Sequence, residues 1–340
     1  MRTRNRLRGR LGAATTTAVA AALLLTGCSG ASTEKKAEGK KTVLTTFTVL
    51  EDMAENVAGD HLEVHSITKP GAEIHDYEPT PGDVRKAAKA DLVLDNGLGL
   101  ERWFEKFAKD ADAPHAVVSE GVEPLSITED AYAGKPNPHA WMSPANGKKY
   151  VDNMVAAFGR LDPEHAEDYR RNGEAYKKRL DEVRAGLVRT LAGLPSQKRA
   201  LVTCEGAFSY LAKDAGLTEK YLWPVNAEQE GTPKQVAGVV DFVKKNKVPA
   251  VFCESTVSDK SMKQAAAAAG SRFAGTLYVD SLSAEGGPVP SYLALLQHDA
   301  DVIARGLTGQ GAGSGAADGQ GAAGDGTGSG APADGSGRRP

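Results

Sequence analysis

Asp162–Pro195, DPEHAEDYRRNGEAYKKRLDEVRAGLVRTLAGLP, decides the architecture of this chain. Ala166, Tyr169, Gly173, Tyr176, Leu180, Val183, Leu187, Leu191 and Leu194 recur at intervals of three and four residues. That is the spacing of one helical face, sustained over about eight turns. Asp162 reads as the N-cap and Pro163 as the first helical residue, where a missing N–H costs nothing; Gly193-Leu194-Pro195 supplies the stop. A rod of this length differs from the short crossover between neighbouring parallel strands, so residues 161–195 read as a helix linking two bodies. A long helix packed inside a single large domain is the alternative.

Both flanks have the same character. Before the rod, Val43-Leu44-Thr45-Thr46, Leu62–Ile67, Asp91–Leu94 and Ala116–Val118 are short apolar runs separated by helix-like stretches. After it, Ala200–Thr203, Val248–Phe252 and Phe273–Val279 repeat the pattern. Such alternation argues for an α/β fold with mainly parallel sheets. The expectation is two α/β lobes, residues 41–160 and 196–307, joined by one long rigid helix.

The ends decide the compartment. Five arginines between Arg2 and Arg10 precede an uncharged apolar run from Leu11 to Leu25, the pattern of a signal peptide over residues 1–27. A permanent span needs about 20 apolar residues, and this run is shorter. Leu25-Thr26-Gly27-Cys28 resembles the bacterial lipobox, which makes Cys28 the expected lipidation site; a plain secretory signal followed by a chance cysteine is the alternative. Residues 28–40 read as a flexible tether and 308–340, with 12 glycines, as a disordered tail. The expected place is therefore the outer face of the cell membrane, held by lipid on Cys28.

Composition narrows the chemistry. The 340 residues carry 41 basic and 44 acidic side chains, and loss of the five leader arginines leaves 36 basic residues. No basic field exists to hold nucleic acid. Three cysteines without a Cys-x-x-Cys pair exclude zinc ribbons and thioredoxin-type motifs, so a metal would depend on His and carboxylates. His61, His65, His115, His165 and His298 lie beside strands or on helices and read as surface or core residues. His75 and His139 differ, because both sit in Pro- or Gly-rich loops beyond strands (PGAEIHDYEP and PNPHAW), where the ligands of open α/β sheets gather. In the second lobe Glu205, Glu254 and Asp280 each follow a strand, and a buried carboxylate needs a cation or donors to offset its desolvation. Spacing alone does not choose among these three.

These loops resemble those of the metal-binding receptor lipoproteins of manganese, zinc and iron ABC importers, the solute-binding protein 9 family, some of whose members are called adhesins. The resemblance covers Thr42–Leu307 and rests on five motifs in order: the His-x-Tyr-Glu-Pro loop at His75, Pro138–Trp141, Glu205–Phe208, Glu230–Pro233 and Asp280-Ser281. It implies two lobes with a metal site in the cleft between them, and His75, His139, Glu205 and Asp280 as ligands. Glu254 matches a position outside the coordination sphere. Two departures stand out. Glu73-Ile74 replaces the usual Asp-Pro before the first His, and Cys204 and Cys253 replace small or aliphatic residues. Both cysteines end strands just before a carboxylate; a disulfide and two buried thiols are the alternatives.

Two imidazoles and two carboxylates carry a formal charge that balances a divalent cation. Carboxylate-rich sets suit Mn²⁺ or Fe²⁺, whereas a third imidazole favours Zn²⁺. In the zinc-selective branch position 205 is typically His, and here it is Glu, with no His-rich tract in the chain. The expectation is a monomeric receptor that captures Mn²⁺, with Zn²⁺ and Fe²⁺ as alternatives, and delivers it to a membrane permease driven by an ATPase. The chain has no Walker A motif and is not that ATPase. A mononuclear metalloenzyme is the competing class, disfavoured because four protein ligands leave no open position and no catalytic motif accompanies them. Adhesion, the third reading, has no motif of its own.

Overall fold

The computed structural model describes residues 39–111, 114–129, 132–225 and 231–309. The expected leader, Cys28, most of the tether and nearly all of the Gly-rich tail lie outside the described residues, as does Glu230.

The first lobe is built on a four-stranded parallel sheet of β1 (Lys41–Thr45), β2 (Leu62–Ser66), β3 (Leu92–Asp95) and β4 (His115–Val117), in the order β2-β1-β3-β4. Val43 on β1 is the register point, paired with Val64 on one side and Leu92 on the other. β3 (LVLD) is buried along its whole length, as expected of a central parallel strand covered on both faces. The crossovers carry α1 (Thr48–Ala58), α2 (Pro81–Ala87) and α3 (Phe104–Ala111). Thr80 and Asp83 close α2 with a reciprocal capping box. α4 (Pro144–Leu161) starts from Ser143, whose hydroxyl accepts from the Asn146 N–H.

α5 (Ala166–Ala192) has 27 residues, about 40 Å of helix. Tyr169, Gly173, Tyr176, Leu180, Leu187 and Leu191 are buried on the periodic stripe. It packs against α4 and α1 of the first lobe and α9 (Tyr292–Thr308) of the second. Asp52 of α1 pins the three-helix junction, accepting from Tyr176 Oη at 3.1 Å and from the Tyr292 N–H at 3.0 Å. The start of the helix differs from the sequence reading. Asp162 does not cap; its carboxylate instead accepts from Tyr169 Oη and pairs with His165 Nδ1, both at 2.6 Å, and a 3-10 turn at Pro163–His165 precedes the α-helix. Asp162 Oδ2 is shared between His165 and a tyrosine seven residues on, and the carboxylate makes no hydrogen bond to the N-terminal amides.

The second lobe alternates β5 (Ala200–Glu205), α6 (Ser209–Ala215), β6 (Thr218–Trp223), α7 (Pro233–Asn246), β7 (Ala250–Glu254), α8 (Lys260–Ala269) and β8 (Arg272–Leu277) before α9. β5 pairs parallel with β6, and β7 with β8. β5 and β7 run side by side, joined at their ends by the Glu205 N–H to Glu254 Oε2 hydrogen bond and by a Cys204–Cys253 disulfide with a Cα separation of 4.9 Å. β6 has no counterpart in the sequence reading. Its first half (Thr-Glu-Lys) is partly exposed and polar, and only Tyr221–Trp223 is buried. Among the described residues no helix is long and apolar enough to cross a membrane.

Candidate metal site

Every parallel strand delivers its chain to the same edge of its sheet, and the four residues of interest leave from those edges. Glu205 ends β5; Asp280 follows β8; His75 lies in the loop after β2; His139 opens a 3-10 turn, Ala140–Met142, before α4. The fold brings all four together, with one ligand atom of each within 4.8 Å of the others. His75 Nε2 is 3.1 Å from His139 Nε2 and 3.3 Å from Glu205 Oε1. His139 Nε2 is 3.8 Å from Glu205 Oε1 and 3.7 Å from Asp280 Oδ1. Ligands about 2.1 Å from a shared ion lie roughly 3 to 3.5 Å apart, so one cation fits between these atoms with small adjustments. His139 and Glu205 are completely buried, and His75 is 4% exposed.

The loops are held by bonds that the sequence did not advertise. The Glu73 carboxylate accepts from the N–H groups of His75 and Asp76, at 2.9 and 3.0 Å, so the Glu73-Ile74 departure stiffens the turn with a side chain. Trp103 Nε1 donates to the Ile74 carbonyl at 2.9 Å. Asn137 has no role in the sequence reading, yet it organises the His139 loop. Its Oδ1 accepts from the His139 N–H and from His139 Nδ1, both at 3.0 Å, while its Nδ2 donates to the Gly206 carbonyl at 2.6 Å. With Nδ1 as donor, the His139 Nε2 lone pair is left facing the cluster. The available signal was a short polar residue two positions before a loop His, the arrangement of an Asx turn. Across the cleft, the Gly71 N–H donates to Ser281 Oγ at 2.6 Å, Leu282 N–H to Thr48 Oγ1 at 2.9 Å, and Trp141 Nε1 to the Val279 carbonyl at 3.2 Å.

Electrostatics without a cation are unfavourable. Burial pushes the His75 imidazole down to about 4, and burial together with the neighbouring His75 lowers His139 well below its ordinary value. Burial, reinforced by Glu73 and partly offset by the Thr256 hydroxyl, raises Asp280 well above the carboxylate range, and both its oxygens are enclosed. Neutral imidazoles and desolvated carboxyls are the state that a divalent ion stabilises. Glu254 stands apart. Its Oε2 accepts from the Glu205 backbone rather than joining the imidazoles, and burial raises it to about 8. Of the three carboxylates that spacing left open, the geometry gathers Glu205 and Asp280 around the histidines. His75 also lines a cavity of about 280 Å³ with Arg102, Tyr132, Lys135 and Pro138. Among the remaining histidines, His61 and His165 stack at 4.0 Å on the surface, each against an aspartate.

Known proteins show the same architecture. A family model described as zinc-uptake complex component A, periplasmic (ZnuA), matches residues 43–306. The iron-binding protein YfeA of Yersinia pestis is 54% identical over 266 residues, 78% of this chain and 86% of that protein. The manganese ABC transporter substrate-binding lipoprotein PsaA of Streptococcus pneumoniae is 34% identical over 291 residues, 83% of this chain and 94% of its own length. The solved Mn-bound structure of the periplasmic metal-binding protein from Candidatus Liberibacter asiaticus superposes with a TM-score of 0.74 at 35% identity, covering 79% of this chain and 100% of that one.

Proposed function

Because the chain belongs to the ZnuA family of metal ABC transporter substrate-binding proteins, we propose that it captures Mn²⁺ with His75, His139, Glu205 and Asp280 and hands it to a membrane permease powered by a separate ATPase. The observation that carries this reading is the buried cluster of two imidazoles and two carboxylates, which contains no thiolate and balances a divalent charge. Oxygen-rich donor sets suit Mn²⁺, and Glu at position 205 withholds the third imidazole that favours Zn²⁺. The iron-binding relative supports Fe²⁺ as a second reading, since the same donors serve either ion. In this account the chain works as a monomer on the outer face of the membrane, lipidated at Cys28. Residues 41–160 and 196–307 act as the two lobes and 161–195 as their bridge.

Binding relieves the electrostatic strain of the cluster. Burial shifts Asp280 toward its protonated form, so a proton competes with the ion there and loading strengthens as pH rises. The test is thermal unfolding of the metal-stripped protein with Mn²⁺, Fe²⁺ or Zn²⁺ added separately. Ligand at about 1,000 times its dissociation constant adds roughly 4 kcal/mol. Stabilisation by Mn²⁺ that disappears in Glu205→Ala supports the reading. Zn²⁺ can bind tightly in vitro whatever the cargo, because it lies above Mn²⁺ in the affinity order. A response to Zn²⁺ alone replaces manganese with zinc, and no response to any of the three rejects a receptor role.

A further inference from the structure

One residue back along β5 and β7 from the carboxylates lies a second group of metal-binding atoms. Cys204 Sγ, Cys253 Sγ and a carboxylate oxygen of Glu254 are all within 4.8 Å of one another. The cysteines are at most 1% exposed and Glu254 is 2% exposed. Glu254 uses Oε2 on the Glu205 N–H, whereas Oε1 is enclosed with no hydrogen-bond partner. With the sulfurs joined as a disulfide, the group has no thiolate to offer.

We propose that the disulfide masks a second, soft-metal site, which opens when Cys204 and Cys253 are reduced and then takes a zinc or cadmium ion on the two thiolates and Glu254. A dithiol supplies the two electrons and two protons: the Cys204–Cys253 S–S bond breaks, two thiols form, and the dithiol closes to its own disulfide. The metal displaces both thiol protons to solvent, and the two thiolates balance its charge, while Glu254 completes the site through an oxygen that carries no proton. Zn–S bonds of about 2.3 Å place two sulfurs roughly 3.8 Å apart. Cα atoms 4.9 Å apart are close enough for two cysteine side chains to span that separation. Thiolates select zinc and cadmium, while Mn²⁺ prefers oxygen and nitrogen. The redox state of one bond thus sets whether the second lobe presents a soft site beside the hard one.

Cadmium titration of the full chain carrying Cys28→Ala tests this, before and after reduction with a dithiol that is then removed under nitrogen. The oxidised chain is expected to bind one equivalent without thiolate-to-cadmium charge-transfer absorption. The reduced chain is expected to bind two, with that absorption, and the Cys204→Ser/Cys253→Ser variant to bind one without it. A reduced chain that binds one equivalent with no charge-transfer band overturns the proposal, and so does loss of the near-ultraviolet circular dichroism on reduction, which would mean that no folded site exists. The first equivalent on the oxidised chain reports the His75–Asp280 cluster, so failure of the receptor reading shows there and failure of the second site shows only after reduction.

Discussion

Asn137→Ala removes, with a few atoms, both the support of a candidate ligand and a tie between the lobes. In the native chain Oδ1 orients His139 through two bonds of 3.0 Å, and Nδ2 holds the Gly206 carbonyl at 2.6 Å, next to Glu205. Losing the partner that orients a metal-binding His typically lowers metal affinity 10- to 100-fold, about 1.4 to 2.7 kcal/mol. The metal-free fold suffers too, because the buried His139 N–H and Gly206 carbonyl lose their partner at a cost of about 1 to 3 kcal/mol each. Asn137→Asp separates the two effects: a carboxylate keeps the acceptor for His139 but has no donor for Gly206. Mn²⁺ titration by calorimetry and thermal unfolding of the stripped protein measure both. Alanine should lower affinity and stability together, whereas aspartate should lower stability while keeping most of the affinity. Unchanged Mn²⁺ affinity in Asn137→Ala, or an aspartate variant as weak as the alanine one, would refute the positioning argument.

Other expectations follow from the same geometry. Glu205→Ala and Asp280→Ala should each cut Mn²⁺ affinity sharply in a competition assay, and Glu254→Ala only weakly; equal losses in all three would reject the ligand set. On α5, a Cβ at Gly173 would lie 2.5 Å from Val155 Cγ2, whereas one at Gly186 meets nothing nearer than 3.9 Å. Gly173→Ala should therefore destabilise by about 1 to 3 kcal/mol from overpacking, and Gly186→Ala should stabilise by up to about 1 kcal/mol through helix propensity, both read from urea unfolding. Burial, aided by Glu101, raises Asp95 to about 8. Between its ordinary value near 4 and that point the folded state holds a proton that the unfolded state has lost, so stability falls by up to about 1.4 kcal/mol per pH unit as pH rises. Asp95→Asn should flatten that slope, with its largest gain at pH 8 and above, and an unchanged profile would exclude Asp95 as its source.

Elements with a strong period were legible. Every member of the stripe from Tyr169 to Leu191 is buried except the half-buried Val183, because a sustained 3.6-residue repeat admits few other readings. β6 was not legible. Glu219 and Lys220 break its apolar run, and they are tolerated because the strand pairs, among the described elements, with β5 alone; Lys220 meets Glu129 at 2.6 Å. At the candidate site, residue type and loop position singled out His75 and His139. Three carboxylates after three strands looked alike in sequence, and only the family resemblance ranked them. What separates Glu254 from Glu205 is direction, one carboxylate turned to a backbone amide and the other to imidazoles, and direction is set by tertiary packing. Asn137 escaped notice for a related reason: its partner Gly206 is 69 residues away.

α5 belongs to neither lobe and packs on both, and that has a kinetic consequence. Halves that share one continuous 27-residue helix, packed on both through its buried stripe, have no slack segment about which to swing open. On the proposed receptor role, an ion would leave by the parting of short loops, through rupture of a few bonds such as Gly71 to Ser281 and Trp141 to Val279. Dwell time, rather than the aperture of a jaw, would then be the regulated quantity. On that role, a permease surface that touched those two loops would act as the clock that decides when the cargo is surrendered.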